Sequence, residues 1–143
     1  MKTFRLKNEE VKRNWILIDA TDQIVGRLAI KVADILRGKN NPAYTPGVDS
    51  GDYCIIINCD KVKMSGKKET DKIYYRHSFY IGGLKKESYK HVMDNHPERI
   101  MEHAVNGMLP KNKLREKMMK RLKVYSGTSH PHSAQKLEEL KLA

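Results

Sequence analysis

The chain has 143 residues, enough for one globular core with exposed extensions and too short for several large domains. Lys and Arg number 28 against 17 Asp and Glu, a formal charge of +11, which points to a polyanionic partner, nucleic acid or an acidic membrane surface. The apolar runs fall far below the roughly 20 residues of a spanning helix and no signal-peptide h-region follows the start, so a soluble, cytoplasmic protein is expected.

Residues 1–13 read as an N-terminal extension. The apolar run Trp15-Ile16-Leu17-Ile18 predicts a buried strand, and Asp19-Ala20-Thr21-Asp22 supplies turn chemistry after it. Val25, Leu28, Ala29, Val32, Ala33 and Leu36 then recur at helical spacing, with Gly38 placed to close the helix in a left-handed cap. Residues 40–52 hold Pro42, Pro46, Gly47 and Gly51 and read as a loop, in which Asp49 and Asp52 are turn formers rather than a catalytic pair. Residues 53–58, almost wholly apolar and β-branched, predict a central strand covered on both faces, the signature of a parallel sheet between helix layers. The first half is thus a β-α-β unit.

Further on, Ile73-Tyr74-Tyr75 is a candidate third strand between the basic loop 61–72 and the turn Ile81-Gly82-Gly83-Leu84. Pro97 suits the first position of a helix whose stripe is Ile100, Met101, Ala104, Val105, Met108 and Leu109, before Pro110 interrupts. Beyond it, Leu114, Met118 and Leu122, spaced four apart, predict one docked edge on an otherwise cationic helix. Residues 122–125 suggest a last short strand, 126–133 a loop, and 134–142 a short, weakly amphipathic tail.

Chemistry concentrates in residues 107–132. Seven cations, Lys111, Lys113, Arg115, Lys117, Lys120, Arg121 and Lys123, face a single acid, Glu116, so i,i+4 pairing cannot neutralise the segment. Phosphate is the natural counterion, and all seven are expected to point outward. Lys67, Lys68 and Lys72 followed by Tyr74, Tyr75, Arg76 and His77 interleave cations with aromatics, a mixture that suits RNA phosphates and exposed bases; packing of alternate tyrosines with solvated lysines explains it equally. Gly82-Gly83 before Lys85-Lys86 either admits a phosphate backbone closely or makes a turn. Gly26 and Arg27 open a helix where free N–H groups favour an anion, but neither a G-x-G-x-x-G nor a Walker fingerprint is present. Cys54 and Cys59 match no redox or zinc spacing, and His130-Pro131-His132 supplies too few ligands for a metal site by itself. No nucleophile and base are recognisable, so neither catalysis nor a cofactor is expected.

In order along the chain, Trp15 with Ile18-Asp19-Ala20, Gly26-Arg27-Leu28-Ala29, Tyr44-Thr45-Pro46, Gly51-Asp52, Gly66-Lys67-Lys68, Gly82-Gly83, Gly107-Met108-Leu109-Pro110-Lys111-Asn112, Leu122-Lys123-Val124-Tyr125, Gly127 and His130-Pro131-His132 spell a recognisable pattern. It resembles the bacterial large-subunit ribosomal protein L13 (uL13) family over nearly the whole length. The resemblance implies a single α/β domain of three-layer α/β/α type on a four-stranded parallel sheet, with basic extensions at 111–132 and a short tail at 133–143. It further implies binding to 23S rRNA beside neighbouring large-subunit proteins, a part in early subunit assembly, and no catalysis, small-molecule substrate or membrane. The rRNA contacts it suggests are Arg27, Lys67, Lys68, Arg76, His77, Gly82, Gly83, Lys111, Lys113, Lys117, Lys120, Arg121, Lys123, His130 and His132. Departures from the family's usual residues occur at Ser78-Phe79, Arg115-Glu116 and Lys136-Leu137. Two rivals stand beside this reading: an α/β enzyme binding a phosphorylated metabolite or nucleotide, and a free-standing RNA-binding regulator.

Overall fold

Strand β1 (Trp15–Asp19) leads through a turn into helix α1 (Val25–Arg37) and returns as β2 (Tyr53–Ile57), which lies parallel to β1 with Trp15 opposite Tyr53 and Asp19 opposite Ile57. The computed structural model describes residues 3–141. As the spacing predicts, α1 buries Val25, Leu28, Ala29, Val32, Ala33 and Leu36, and Gly38 ends it at φ 76° with its N–H donating to the Ile35 carbonyl. After β2 come the one-turn α2 (Lys68–Asp71), a hairpin of β3 (Ile73–His77) and β4 (Leu84–Ser88), and helices α3 (Tyr89–Asn95), α4 (Pro97–Met108) and α5 (Leu114–Lys120). Strands β5 (Leu122–Val124) and β6 (Leu137–Glu139) close the fold.

The main sheet has the order β5-β2-β1-β6, every pair parallel. This is the expected α/β class, a four-stranded parallel sheet flanked by helices and consistent with a three-layer α/β/α arrangement. Alternation along the strands divides its faces. Ile16, Ile18, Cys54 and Ile56 join one core with α1, α3, α4 and Met118. Trp15 and Tyr53 begin the other face, their rings stacked at 4.2 Å. Topology explains what crosses that second face. Both β1 to β2 and β2 to β5 step in one direction, whereas β5 to β6 steps back past them, so a right-handed crossover must carry residues 125–136 over the opposite side. His132 lies there, its ring 5.3 Å from that of Trp15.

Four sequence expectations need correction. Ile73-Tyr74-Tyr75 does form a strand, but outside the main sheet: β3 pairs antiparallel with β4, because the short turn after His77 can join antiparallel strands and not parallel ones. The tail supplies the fourth sheet strand, with Leu137 opposite Trp15 and the Leu140 N–H donating to the Leu17 carbonyl at 2.9 Å. An exposed edge strand tolerates polar residues, which is why Glu138 and Glu139 carried no strand signal. Leu122 is not on the cationic helix, which ends at Lys120, but opens β5. Finally Met108, expected in the α4 stripe, is 42% exposed, while Leu109 in the cap turns inward at 2%.

The N-terminal extension is anchored to the body at Leu6 and again at Arg13. Leu6 is buried, its N–H donates to Thr45 Oγ1, and Arg13 Nη2 donates to the Asp49 carbonyl at 3.0 Å. The same 48–52 loop presses against the end of α1. A Cβ on Gly51 would lie 1.7 Å from the Leu36 carbonyl oxygen, so only glycine lets the two backbones meet there.

Candidate nucleic-acid interface

Helix α5 follows the Pro110 break, with Asn112 accepting the Leu114 N–H on its side-chain oxygen. Met118 is buried and Leu114 half-buried, which docks one edge against α1 and α4; Lys111, Lys113, Lys117 and Lys120 are exposed and Arg115 and Lys123 half-exposed. None of these six has an ion-pair partner among the described residues. Arg121, expected to point outward with them, points inward. It is 5% exposed; its Nη2 donates to Asp49 Oδ1 at 2.7 Å and to the Leu36 carbonyl at 2.8 Å, and its Nη1 pairs with Asp49 Oδ2. Three of its five donors are held by a carboxylate and a helix-end carbonyl, and burial keeps the rest of the guanidinium, including an unpartnered Nε, away from an external phosphate. Asp49, read from sequence as a turn former, is the counter-charge of this pair.

The hairpin brings a second group of cations to the same side. A cleft of about 440 Å³ is bounded by Tyr74, Tyr75 and Arg76 of β3, Arg99 and His103 of α4, and Met119 of α5. Tyr74 packs edge-on against His103, which settles its packing role, while Tyr75 stays 61% exposed under Lys86. Arg76 and His77 are exposed, and Arg76 reaches Glu87 only at 3.9 Å. Lys67 and Lys68 flank the start of α2, both exposed. Arg27 is exposed on the first turn of α1, where the Val25 N–H is already taken by the Lys63 carbonyl. Gly82 and Gly83 serve the turn itself. Gly82 sits at φ 71°, and a Cβ on Gly83 would strike Ser78 Oγ at 2.1 Å. Arg99 was not singled out in the sequence, and only the approach of α4 to Tyr74 places it here, whereas Lys86, noted there beside Lys85, reaches Tyr75 through the hairpin register.

His130 and His132 are half-buried on the crossover loop. His132 Nε2 lies 2.6 Å from the Tyr125 hydroxyl, and His130 Nδ1 accepts the His132 N–H at 3.3 Å. Burial, then the charges of His130 and Lys123, lower the His132 pKa below its ordinary value. The fold therefore favours the neutral ring. Its stabilising contribution is complete above about pH 6.5 and is lost as pH falls from there through the folded-state value, since the unfolded chain protonates first. The thermal midpoint of the wild type should drop more between about pH 7.5 and about pH 5.5 than that of His132→Gln. Equal drops would show that this ring is not linked to folding.

At the carboxyl ends of β1 and β6, where an enzyme of this topology would bind its ligand, Leu17, Asp19, Thr21, Ile57 and Glu139 line a crevice of about 360 Å³. Asp19 is committed to its own turn. Its Oδ1 accepts from Asn58 Nδ2 at 2.9 Å and from Thr21 Oγ1 at 2.7 Å, and these bonds, Asn58's first, hold its carboxyl below the usual range. Burial pushes the Cys54 and Cys59 thiols up to about 12, so neither is a nucleophile at neutral pH. No three His, Cys, Asp or Glu side chains converge among the described residues, and no described helix is long and apolar enough to cross a membrane.

Comparison with known proteins decides the family. The profile of the family described as ribosomal protein L13 matches residues 13–131. The chain belongs to the ribosomal protein L13 family. The large ribosomal subunit protein uL13 of Thioalkalivibrio sulfidiphilus is 56% identical over 142 residues, covering 99% of this chain and 100% of that protein. Its counterpart in Acidithiobacillus ferrooxidans is 52% identical over 140 residues, 98% of this chain and 99% of the relative. That of Francisella philomiragia is 56% identical over 135 residues, 94% and 95%. In this L13 family member the exposed cations cluster on and beside α5, on the hairpin and at the start of α2, with Lys123 at the sheet strand β5.

Proposed function

We propose that this chain is a structural constituent of the large ribosomal subunit that binds 23S rRNA, supports early subunit assembly in the cytoplasm, and lies beside other large-subunit proteins. Family membership supports the subunit assignment. The observation that carries RNA binding is the set of six cations on residues 111–123 that lack any ion-pair partner among the described residues. Arg115, Lys117 and Lys120 on the docked helix, with Lys111, Lys113 and Lys123 flanking it and one acid among them, lower the electrostatic cost of packing phosphates together and release counterions on binding. Lys67, Lys68, Arg76 and Arg27 extend the positive surface on neighbouring elements. The role is cohesion of folded RNA and requires neither turnover nor a cofactor.

Sedimentation of a cell lysate tests this. At moderate salt the chain should travel with large subunits in one-to-one ratio. Recovery chiefly at the top of the gradient would contradict the assignment and favour a free-standing regulator.

A further inference from the structure

The β3–β4 hairpin is apolar where it has nothing to pack on. Of the ten exposed large hydrophobic side chains among the described residues, six are Ile73, Tyr75, Phe79, Tyr80, Ile81 and Leu84. The three at the tip are the most open, Phe79 at 96%, Tyr80 at 79% and Ile81 at 107%. Among the described aromatic pairs Phe79 meets only the edge of the His77 ring, 6.1 Å between centroids; it contributes nothing to the core and occupies φ 66°, a conformation strained for a bulky L-residue. The tip is nonetheless ordered by its own bonds: Ser78 N–H donates to the Gly83 carbonyl at 3.0 Å, Gly83 N–H to that of Tyr80 at 2.9 Å, and Phe79 N–H to His77 Nδ1 at 2.9 Å.

Charge identifies what the tip meets. In the hairpin register Arg76 stands directly opposite Lys85 and Tyr75 opposite Lys86. Like charges facing each other across a strand pair destabilise it unless an anion lies between them. Glu87 is the only acid in either strand, and it is half-buried and 3.9 Å from Arg76. An apolar protein partner gains nothing from this cationic collar, whereas single-stranded nucleic acid uses both parts: phosphates meet the cations, and bases stack on the rings.

We propose that Phe79 and Tyr80 form a stacking platform for unpaired rRNA bases, with Arg76, Lys85 and Lys86 holding the flanking phosphates. This rests on the rRNA-binding role above. The platform supplies what the α5 cations cannot, attachment at a place where the RNA exposes base faces rather than backbone alone.

The test compares full-length wild type, Phe79→Gly, Tyr80→Ala and Phe79→Trp for binding to transcribed 23S rRNA across a range of salt. Phe79→Gly and Tyr80→Ala should each weaken binding between about fivefold and about a hundredfold with an unchanged salt slope, because a ring and not a charge is lost. Phe79→Gly should also keep or raise the thermal midpoint, since glycine adopts the positive φ without strain, and Phe79→Trp should keep the affinity. Unchanged affinity in both ring deletions would overturn the proposal and leave the tip to a neighbouring protein. A flatter salt slope would overturn it too, by showing that the loss came through displaced cations. A wild type that fails to bind 23S rRNA at any salt would remove the rRNA role itself, which the control distinguishes from failure of the platform.

Discussion

Replacing Arg121 by alanine is expected to destabilise the protein by about 3–5 kcal/mol, the usual cost of removing one partner from a buried ion pair. Solvent screening does not dilute this estimate, because the two side chains are only 6% and 13% exposed. Truncation strands the Asp49 carboxylate with Arg13, whose nearest nitrogen is 3.6 Å away and a third exposed, and leaves the Leu36 carbonyl without its donor at the end of α1. One side chain joins α5–β5, the 48–52 loop and the C-terminus of α1, so all three should loosen together. A typical domain of this size has about 5–15 kcal/mol in total, which makes the loss a large fraction of it. Arg121→Lys should recover little, since an ammonium cannot reproduce the bidentate fork. Denaturant unfolding at neutral pH reads the effect. A loss below about 1 kcal/mol would mean that the pair behaves like an exposed one.

The opposite pattern is expected for Lys113→Ala, Lys117→Ala and Lys120→Ala combined. All three side chains are exposed and unpaired among the described residues, so stability should change by no more than about 0.5 kcal/mol per site. Affinity for 23S rRNA should fall, and the fall should be steepest at low salt. Each lost phosphate contact takes about 0.7 to 0.9 from the slope of log affinity against log salt, or about 2 to 3 for the set. Two neighbouring cations, Lys120 and Arg121, thus have separable tasks. On the proposed function, the first would serve the RNA, while its neighbour is built into the fold.

That division was not legible in the sequence. Within residues 111–123 the local rule places Arg121 among the outward cations, because its partner Asp49 is 72 positions away and had its own sufficient explanation as a turn former. By contrast α1 could be read almost residue by residue: a stripe at 3.6 spacing and a glycine cap are local signals, and nothing distant overrides them. The β2 strand was equally plain, because burial on both faces leaves no polar alternation to interpret. The strand β6 was hidden for the reverse reason. Its residues Leu137, Glu138 and Glu139 gain their conformation from the edge of β1, an interaction made across more than a hundred positions. The hairpin tip shows a third kind of failure. Gly82-Gly83 signalled a turn, and the turn is there, but only the geometry reveals that Phe79, edge-on to His77, and Tyr80 both stand open to solvent away from the core.

The measurement that bears most directly on these claims is the salt dependence of binding between full-length protein and 23S rRNA, made in parallel for wild type, the triple lysine variant and Arg121→Ala, with each variant first shown to be folded at the temperature used. Wild type should show a steep linear fall of log affinity with log salt. The triple variant should be flatter by about 2 to 3, and Arg121→Ala should run parallel to wild type. A triple variant with the wild-type slope, or an Arg121→Ala slope reduced as though a phosphate contact had been lost, would contradict the assignment of RNA contact to the exposed cations of α5 and of structural support to the buried one.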